Sequence, residues 1–186
     1  MLVGPPGSGK STVAAALGTR WQLPVRDTDA DVEQSAGTTI GEIFVVEGED
    51  AFRALERAAV AMALDEHDGV LALGGGAVLD PSTEERLAAY RAGGGVVVFL
   101  DVSLAHAAPR VGFSTARPLL LGNPRRQWQL LMDARRPVYE RVASVHVLTD
   151  DLRPPQVAAE IERLLGAERT GTGGPAAAPQ SEGDQR

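Results

Sequence analysis

Short apolar runs alternate with longer helical stretches along most of the chain. Residues 70–73 and 96–100 are continuous apolar runs, which are typical of strands buried on both faces of a sheet. Shorter runs at residues 1–3, 23–25 and 145–148 predict three more strands. Because helical segments separate all five strands, the pattern predicts a parallel sheet with helices on both of its faces.

The longest helical stretch lies between the second and third predicted strands, at residues 30–66. Gly37 and Gly48 are expected to divide it into three helices, and Thr38 or Thr39 is expected to cap the middle helix. This stretch is therefore the largest excursion of the chain between two strands.

The third of these helices is predicted over residues 49–66. Arg53 and Glu56 lie three residues apart on it, close enough to contact each other. Apolar residues recur at helical spacing along one side of the same helix. They are Ala51, Leu55, Ala58 and Met62.

The end of the chain combines helical periodicity with a biased tail. Asn123 and Pro124 predict the start of a helix that ends near Pro137, and a last amphipathic helix is predicted over residues 154–165. Residues 166–186 are rich in Gly, Ala, Pro and polar residues, so we expect them to form a disordered tail.

Composition narrows the class of protein. At 186 residues, 44% of them hydrophobic, the chain can bury one substantial core, and we predict a single domain over residues 1–165. No apolar run approaches the roughly 20 residues that cross a membrane, and the chain enters a strand at once, so neither a membrane span nor a leader peptide is expected. The absence of cysteine fits a cytoplasmic protein. The net charge of −7 disfavours a broad nucleic-acid surface.

The first predicted turn carries a phosphate-binding signature. Residues 4–12 read Gly-Pro-Pro-Gly-Ser-Gly-Lys-Ser-Thr and match the pattern G-x-x-x-x-G-K-[ST], between a strand and a helix as the motif requires. The glycines let consecutive backbone N–H groups point at phosphate oxygens, and the helix that follows offers its positive N-terminal end. Lys10 is expected to reach the β- and γ-phosphates, and the Ser11 hydroxyl to face Mg²⁺.

Two further segments follow predicted strands directly. They are residues 27–29, Asp-Thr-Asp, and residues 74–76, Gly-Gly-Gly. Ligands of parallel sheets bind at the carboxyl ends of the strands, so both segments are expected to lie beside the phosphate loop. Asp27 and Asp29 would point the same way only if the backbone stays extended between them.

A phosphate loop alone indicates only that a nucleotide binds, because motors, GTPases and kinases all contain one. The chain is too short for the power-transmitting domain of a motor, and it lacks the Asn-Lys-x-Asp sequence that reads guanine. A small ATP-dependent kinase is therefore the leading interpretation.

Six short motifs resemble those of the shikimate kinases in order and approximate spacing, over about residues 1–165. They are the phosphate loop, Asp27-Thr28-Asp29, Phe52-Arg53 with Glu56, Gly74-Gly75-Gly76, Arg117-Pro118-Leu119-Leu120 and Arg135-x-Pro137-x-Tyr139. The resemblance implies an α/β, three-layer P-loop kinase fold like that of nucleoside monophosphate kinases, with substrate-binding helices at about residues 28–66 and a mobile lid at about residues 111–123. It also implies that Mg-ATP phosphorylates the 3-hydroxyl of shikimate, a step towards chorismate and the aromatic amino acids.

The same resemblance implies roles in the nucleotide half of the site. Arg110 packs on the adenine ring, and Arg117, in the lid, closes over the transferring phosphoryl group. Asp27 is the acid on the magnesium side and acts on the ion through water. The residues expected to contact ATP are Gly7, Ser8, Gly9, Lys10, Ser11, Thr12, Arg110 and Arg117.

In the acceptor half, Asp29 resembles the carboxylate that contacts the reacting hydroxyl and takes its proton; its alternative role is to cap the helix that follows. Arg53 and Arg135 resemble the pair that binds the shikimate carboxylate. Without the motif, Arg53 would be an exposed helix arginine paired with Glu49 or Glu56. Glu56 is expected to orient Arg53 or to meet a substrate hydroxyl. The remaining implied contacts are the backbone N–H groups of Gly74, Gly75 and Gly76.

Two alternatives stay open. The first is another small-acid kinase of the same fold, such as a gluconate kinase, because two arginines indicate an anionic substrate without identifying it. The second is a non-catalytic module that senses shikimate or a nucleotide. Shikimate is the expected partner, and a monomer is expected because the shikimate kinases are commonly monomeric.

Overall fold

The computed structural model describes residues 1–111 and 123–171. Five parallel strands form one sheet in the order β2-β3-β1-β4-β5, which confirms the predicted parallel sheet. The strands are β1 Leu2–Val3, β2 Val25–Asp27, β3 Val70–Ala72, β4 Val98–Asp101 and β5 Val145–Leu148. The second strand starts at Val25, where the predicted one ended, so Asp27 belongs to the strand itself.

Eight α-helices and one 3₁₀ helix accompany the sheet within these described ranges, and none of the helices there is long and apolar enough to cross a membrane. The helices are α1 Lys10–Trp21, α2 Thr28–Ala36, α3 Ile40–Val46, α4 Glu49–Glu66, the 3₁₀ helix Ala77–Leu79, α5 Pro81–Ala92, α6 Leu104–Val111, α7 Pro124–Val142 and α8 Pro154–Gly171.

Two hydrophobic clusters lie on opposite faces of the sheet, as the three-layer prediction requires. On one face α1 and α8 pack on strand residues such as Leu2 and Val98. On the other face Phe99 and its neighbours pack against α4, α5 and α7, with Trp128 and Tyr139 among the buried side chains. Because successive side chains of a strand point to opposite faces, even the two-residue strand β1 contributes to both clusters.

The capping residues of the helical excursion are confirmed. Gly37 ends α2 in the left-handed conformation, with φ 68°. Thr39 caps α3, and its side chain and that of Glu42 form a reciprocal capping box. Gly48 precedes α4, which spans the predicted residues 49–66.

The apolar positions predicted along α4 are buried only in part, since Leu55 packs against a buried cluster but the two later positions do not. Met62 is half exposed and Ala58 is exposed. The face that is buried instead consists of Phe52, Glu56, Ala59, Val60 and Ala63. A buried glutamate interrupts this face, so apolar spacing alone selected the neighbouring positions.

The predicted ends of the last two helices are also wrong. The helix α7 continues past Pro137, although proline removes one backbone hydrogen bond, because side chains on both sides of it are anchored. Arg136 donates to both oxygens of the buried Asp101 carboxylate, at 2.7 and 2.8 Å, and Tyr139 is fully buried. The helix α8 continues to Gly171, so the first six residues of the predicted tail are helical. The rest of the tail lies outside the described residues.

Candidate active site

The loop between β1 and α1 has the curled backbone that its glycines predict. Gly4, Gly7 and Gly9 have φ angles of 149°, 86° and 87°, which side chains disfavour. Lys10 closes the curl, since its Nζ donates to the carbonyl of Gly4 at 2.8 Å and to that of Pro5 at 3.2 Å. The ammonium group is therefore held at the loop, within reach of anything that binds there.

A cavity of about 550 Å³ lies over this loop, and we call it the donor cavity. The Ser11 hydroxyl donates to Asp27 Oδ2 at 2.5 Å at one side of it, and Arg110 lines another part of the wall. The predicted ATP contacts that line this cavity are Gly7, Ser8, Gly9, Lys10, Ser11, Thr12 and Arg110.

Arg110 connects the loop to the chain that follows β5. Its guanidinium donates to the Gly7 carbonyl at 3.4 Å and to the hydroxyl and carbonyl of Thr149 at 3.3 and 3.0 Å. Leu152 and Pro154 line the cavity beside it. A planar guanidinium and apolar side chains together offer the surface that an aromatic base stacks on.

A second cavity of about 500 Å³ adjoins the first, and we call it the acceptor cavity. Asp29, Arg53, Glu56 and Arg135 all line it, although they come from three helices that are distant in sequence. The acidic and basic side chains predicted from scattered motifs therefore meet in one place.

Arg53 and Glu56 form a partly buried ion pair. Arg53 Nη1 donates to Glu56 Oε2 at 2.6 Å, and Arg53 also pairs with the exposed Glu49 at 3.0 Å. Burial raises the pKa of Glu56 and Asp29 raises it further, whereas Arg53 favours the charged carboxylate. Burial alone would lower the pKa of Arg53, but its two glutamate partners raise it. Arg53 is thus both a helix arginine with glutamate partners and a cation facing the cavity.

Arg135 reaches the acceptor cavity from α7. Its Nη1 donates to the Gly75 carbonyl at 3.0 Å, and the Tyr139 hydroxyl donates to the same oxygen at 2.5 Å. Burial raises the pKa of Tyr139 to about 12, so this phenol remains a neutral donor. The two contacts hold the end of β3 against α7 and fix the position of the Arg135 guanidinium.

A side chain at two positions of the glycine triplet would meet the cavity's own residues. A methyl group on Gly74 would lie 2.5 Å from Asp29 Oδ1 and 2.8 Å from Glu56 Oε1, and one on Gly76 would overlap the guanidinium of Arg53. The N–H of Gly74 is also engaged, because it donates to the buried Thr28 hydroxyl at 2.9 Å. These two glycines leave room for the cavity's own side chains.

Asp27 and Asp29 lie where the two cavities meet, since both residues line both cavities. The backbone between them does not stay extended, because α2 begins at Thr28. Asp27 is the helix cap and accepts from the N–H of Asp29 at 3.0 Å. The cap of α2 is therefore Asp27, and Asp29 does not have the alternative role of a helix cap.

Arg117 and the other predicted lid residues, 112–122, lie outside the described residues. Sequence reasoning missed the apolar wall of the acceptor cavity, which includes Ile40, Phe44 and Leu131. The spacing of four residues between Ile40 and Phe44 on α3 places them on one helix face and was the available signal.

Proteins that combine this sheet order with a phosphate loop and an adjoining acceptor cavity are P-loop kinases of small molecules, and the chain is of this class. Within the class, it belongs to the shikimate kinase family. Residues 6–165 match the family model described as shikimate kinase. The resemblance inferred from the six motifs is thereby confirmed.

Individual relatives and a solved structure agree with this assignment. The shikimate kinase of Streptomyces avermitilis is 52% identical over 161 residues, which cover 87% of this chain and 91% of that protein. The shikimate kinase of Salinispora arenicola is 52% identical over 167 residues, with coverage of 90% and 97%. The structure of shikimate kinase from Acinetobacter baumannii in complex with shikimate has a TM-score of 0.85 at 32% identity, and the match covers 90% of this chain and 92% of that chain.

The raised pKa of Glu56 predicts a pH-dependent stability. Between the ordinary value of 4.5 and the raised value, the folded state binds more protons at Glu56 than the unfolded state does. The contribution of Glu56 to the free energy of unfolding is therefore fully present below pH 4.5 and is lost as the pH rises through the raised pKa. Glu56→Gln should flatten this fall, as measured by urea denaturation at a series of pH values.

Glu49→Gln is the matched control for Glu56→Gln, because it removes the exposed partner of the same arginine. Equal pH slopes of the unfolding free energy for the native protein and Glu56→Gln would contradict the assignment of this proton to Glu56.

Proposed function

We propose that the chain transfers the γ-phosphoryl group of ATP to the 3-hydroxyl of shikimate, giving shikimate 3-phosphate and ADP. The observation that carries this proposal is the junction of the two cavities at Asp29, with the phosphate loop on one side and Arg53 and Arg135 on the other. Such a junction lets a phosphate donor and an anionic acceptor meet without an intervening covalent step on the protein.

In the donor half, Lys10 moves from the carbonyls of Gly4 and Pro5 to the β- and γ-phosphates. The loop and the N-terminus of α1 supply further positive potential there. Arg110 stacks on the adenine ring at the far end of the donor cavity. Arg117, outside the described residues, closes over the transferring group and stabilises its charge.

The residues at the phosphate loop fit a magnesium ion. Ser11 and Asp27 supply a hydroxyl and a carboxylate 2.5 Å apart, and hard oxygen ligands are those that Mg²⁺ prefers. The described residues contain no cluster of three or more His, Cys, Asp or Glu side chains that could hold a metal alone, so phosphate oxygens and water would complete the coordination. Such an ion would neutralise charge on the β- and γ-phosphates, with Asp27 acting through water.

In the acceptor half, the guanidinium groups of Arg53 and Arg135 bind the shikimate carboxylate. Glu56 orients Arg53 through their ion pair, and this compensates for the cost of burying the arginine. Asp29 contacts the 3-hydroxyl and accepts its proton as the phosphoryl group is transferred. Gly75 lines both cavities and presents its backbone to shikimate where the two substrates meet.

Several further predictions concern the context of the reaction. We expect a single domain over residues 1–165, a monomeric enzyme in the cytoplasm, and no nucleic-acid or membrane partner. These expectations follow from composition and from the resemblance, and they stay predictions.

The function is tested by coupled measurement of ADP release with shikimate and with a panel of other acids that includes gluconate. We expect turnover with shikimate at a kcat/KM at least about 100-fold above that with any other acid, since an acid with differently placed hydroxyls leaves polar groups of the cavity unpaired, at about 1–3 kcal/mol each. If another acid were turned over in preference to shikimate, that acid would be the substrate. Tight binding of both ligands by calorimetry, without phosphate transfer, would indicate a sensing module.

Asp29→Asn should lower kcat by a factor on the order of 10² to 10⁴, because an amide cannot accept the proton. The affinity for an ATP analogue, measured by calorimetry, should remain within about twofold. Asp31→Asn is the matched control, since Asp31 lies on the same helix and pairs with Arg26. Undiminished kcat in Asp29→Asn would exclude Asp29 as the base.

Gly76→Ala should displace Arg53 and raise the KM for shikimate about tenfold or more, the effect of losing a charged hydrogen bond. The melting temperature should also fall, because displacing Arg53 breaks its ion pair with the buried Glu56. Gly93→Ala is the control, since a methyl group there makes ordinary contacts. An unchanged KM for shikimate in Gly76→Ala would argue against the carboxylate-binding role of Arg53.

A further inference from the structure

One face of α7 touches both halves of the site. Leu131 and Arg135 line the acceptor cavity. Trp128, one turn before Leu131 and two turns before Arg135, donates from its indole N–H to the Pro6 carbonyl at 3.0 Å. Trp128 is 1% exposed and belongs to the cluster under the sheet. Residues spaced by three, four and seven positions share a helix face, so a single rigid element contacts the phosphate loop and the acceptor.

The Trp128 contact differs from the other contacts to carbonyls of the phosphate loop. The carbonyls of Gly4 and Pro5 accept from Lys10, which must turn towards phosphate during the reaction. The Gly7 carbonyl accepts from Arg110 at 3.4 Å, in an exposed contact. The indole of Trp128 is packed in the core and does not line the donor cavity, so we expect its hydrogen bond to Pro6 to remain when the nucleotide is bound.

Pro6 is a sensitive point of the loop, because it lines both the donor and the acceptor cavity. A shift of this residue would move the N–H groups of Gly7 and Ser8 relative to the acceptor. Displacements of about 1 Å at a reacting centre can cost on the order of 10²-fold in rate.

We propose that Trp128 is a positioning residue that aligns the phosphate loop with the acceptor. Its hydrogen bond to the Pro6 carbonyl fixes the loop on α7, and α7 carries Arg135 at the acceptor carboxylate. The alignment of donor and acceptor thus depends on one helix rather than on the loop alone. This inference rests on the proposed function for its catalytic part, whereas its effect on the loop does not depend on the acceptor's identity.

The chain offers a matched pair of tryptophans for the test. Trp128→Phe keeps an aromatic ring in the core and removes the N–H donor. Trp21→Phe removes an indole that donates to Glu162 at 3.2 Å, between α1 and α8, away from both cavities. Met132→Leu serves as a packing control, because Met132 is buried in α7 one turn after Trp128 and belongs to the same cluster.

We expect Trp128→Phe to weaken the binding of a magnesium-bound, non-hydrolysable ATP analogue about three- to tenfold, the range for one lost neutral hydrogen bond. Hydrogen exchange at the backbone amides of residues 7–11 should become faster, and kcat should fall. Shikimate affinity without nucleotide should remain within about twofold, because Arg53 and Arg135 keep their partners. Trp21→Phe and Met132→Leu should leave nucleotide affinity and loop exchange unchanged.

The proposal would be overturned if folded Trp128→Phe had the nucleotide affinity and the loop exchange rates of the native protein. An equal loss of nucleotide affinity in Met132→Leu would also overturn it. If Trp128→Phe does not fold, replacing Trp128 with 3-benzothienylalanine, which has sulfur in place of the N–H, applies the same criteria. Absence of turnover with shikimate in the native protein would refute the proposed function while leaving the calorimetric and exchange results on the loop interpretable.

Discussion

The arrangement of the site depends on the pairing of β1 with both β3 and β4. Leu2 is in register with Ala72 on one side and with Val98 on the other, so the phosphate loop emerges beside the glycine triplet at the end of β3. Because the strands are parallel, every one of these connections leaves the same edge of the sheet. The pairing of this two-residue strand therefore brings the phosphate loop and the glycine triplet to the same edge of the sheet.

Two arginines lie in the acceptor cavity among the acidic side chains of Asp27, Asp29, Glu33 and Glu56, which also line it. The protein carries a net charge of −7, yet the cavity presents two arginines to an anion. Arg53 is held there by Glu56, which is itself buried, and Arg135 is held by a backbone carbonyl. A neutral acceptor for Arg135 leaves its charge available, whereas the ion pair makes Arg53 rigid at the cost of part of its field. The cavity thus combines Arg135, whose charge remains available to a ligand, with Arg53, whose orientation is fixed by its ion pair.

Much of the fold could be predicted because its signals are local. The phosphate loop, the cap at Thr39 and the breaks at Gly37 and Gly48 follow from backbone chemistry within a few residues. The end of α7 could not be predicted in this way, since contacts from Asp101 override the local effect of Pro137. The buried face of α4 was missed for a related reason, because the glutamate on it has a partner that periodicity does not register.

The candidate site likewise has a part that sequence patterns predicted and a part that they did not. Motif spacing identified Asp29, Arg53 and Arg135, which the fold brings to one cavity. It could not assign the purpose of Gly74 and Gly76, because the space that they provide is occupied by side chains from other helices. It also passed over Trp128, whose contact with Pro6 spans 122 residues of sequence and leaves no local pattern.

The carboxylate of Asp27 makes two hydrogen bonds that serve different purposes. Its Oδ2 accepts from Ser11 and its Oδ1 accepts from the N–H of Asp29, so the same side chain faces the phosphate loop and starts the helix that carries Asp29, the proposed base. Asp27→Ala would remove both contacts at once, whereas Asp27→Asn keeps an oxygen for the cap and removes the carboxylate charge. Loss of activity in Asp27→Ala would therefore not distinguish a lost metal contact from a lost helix cap.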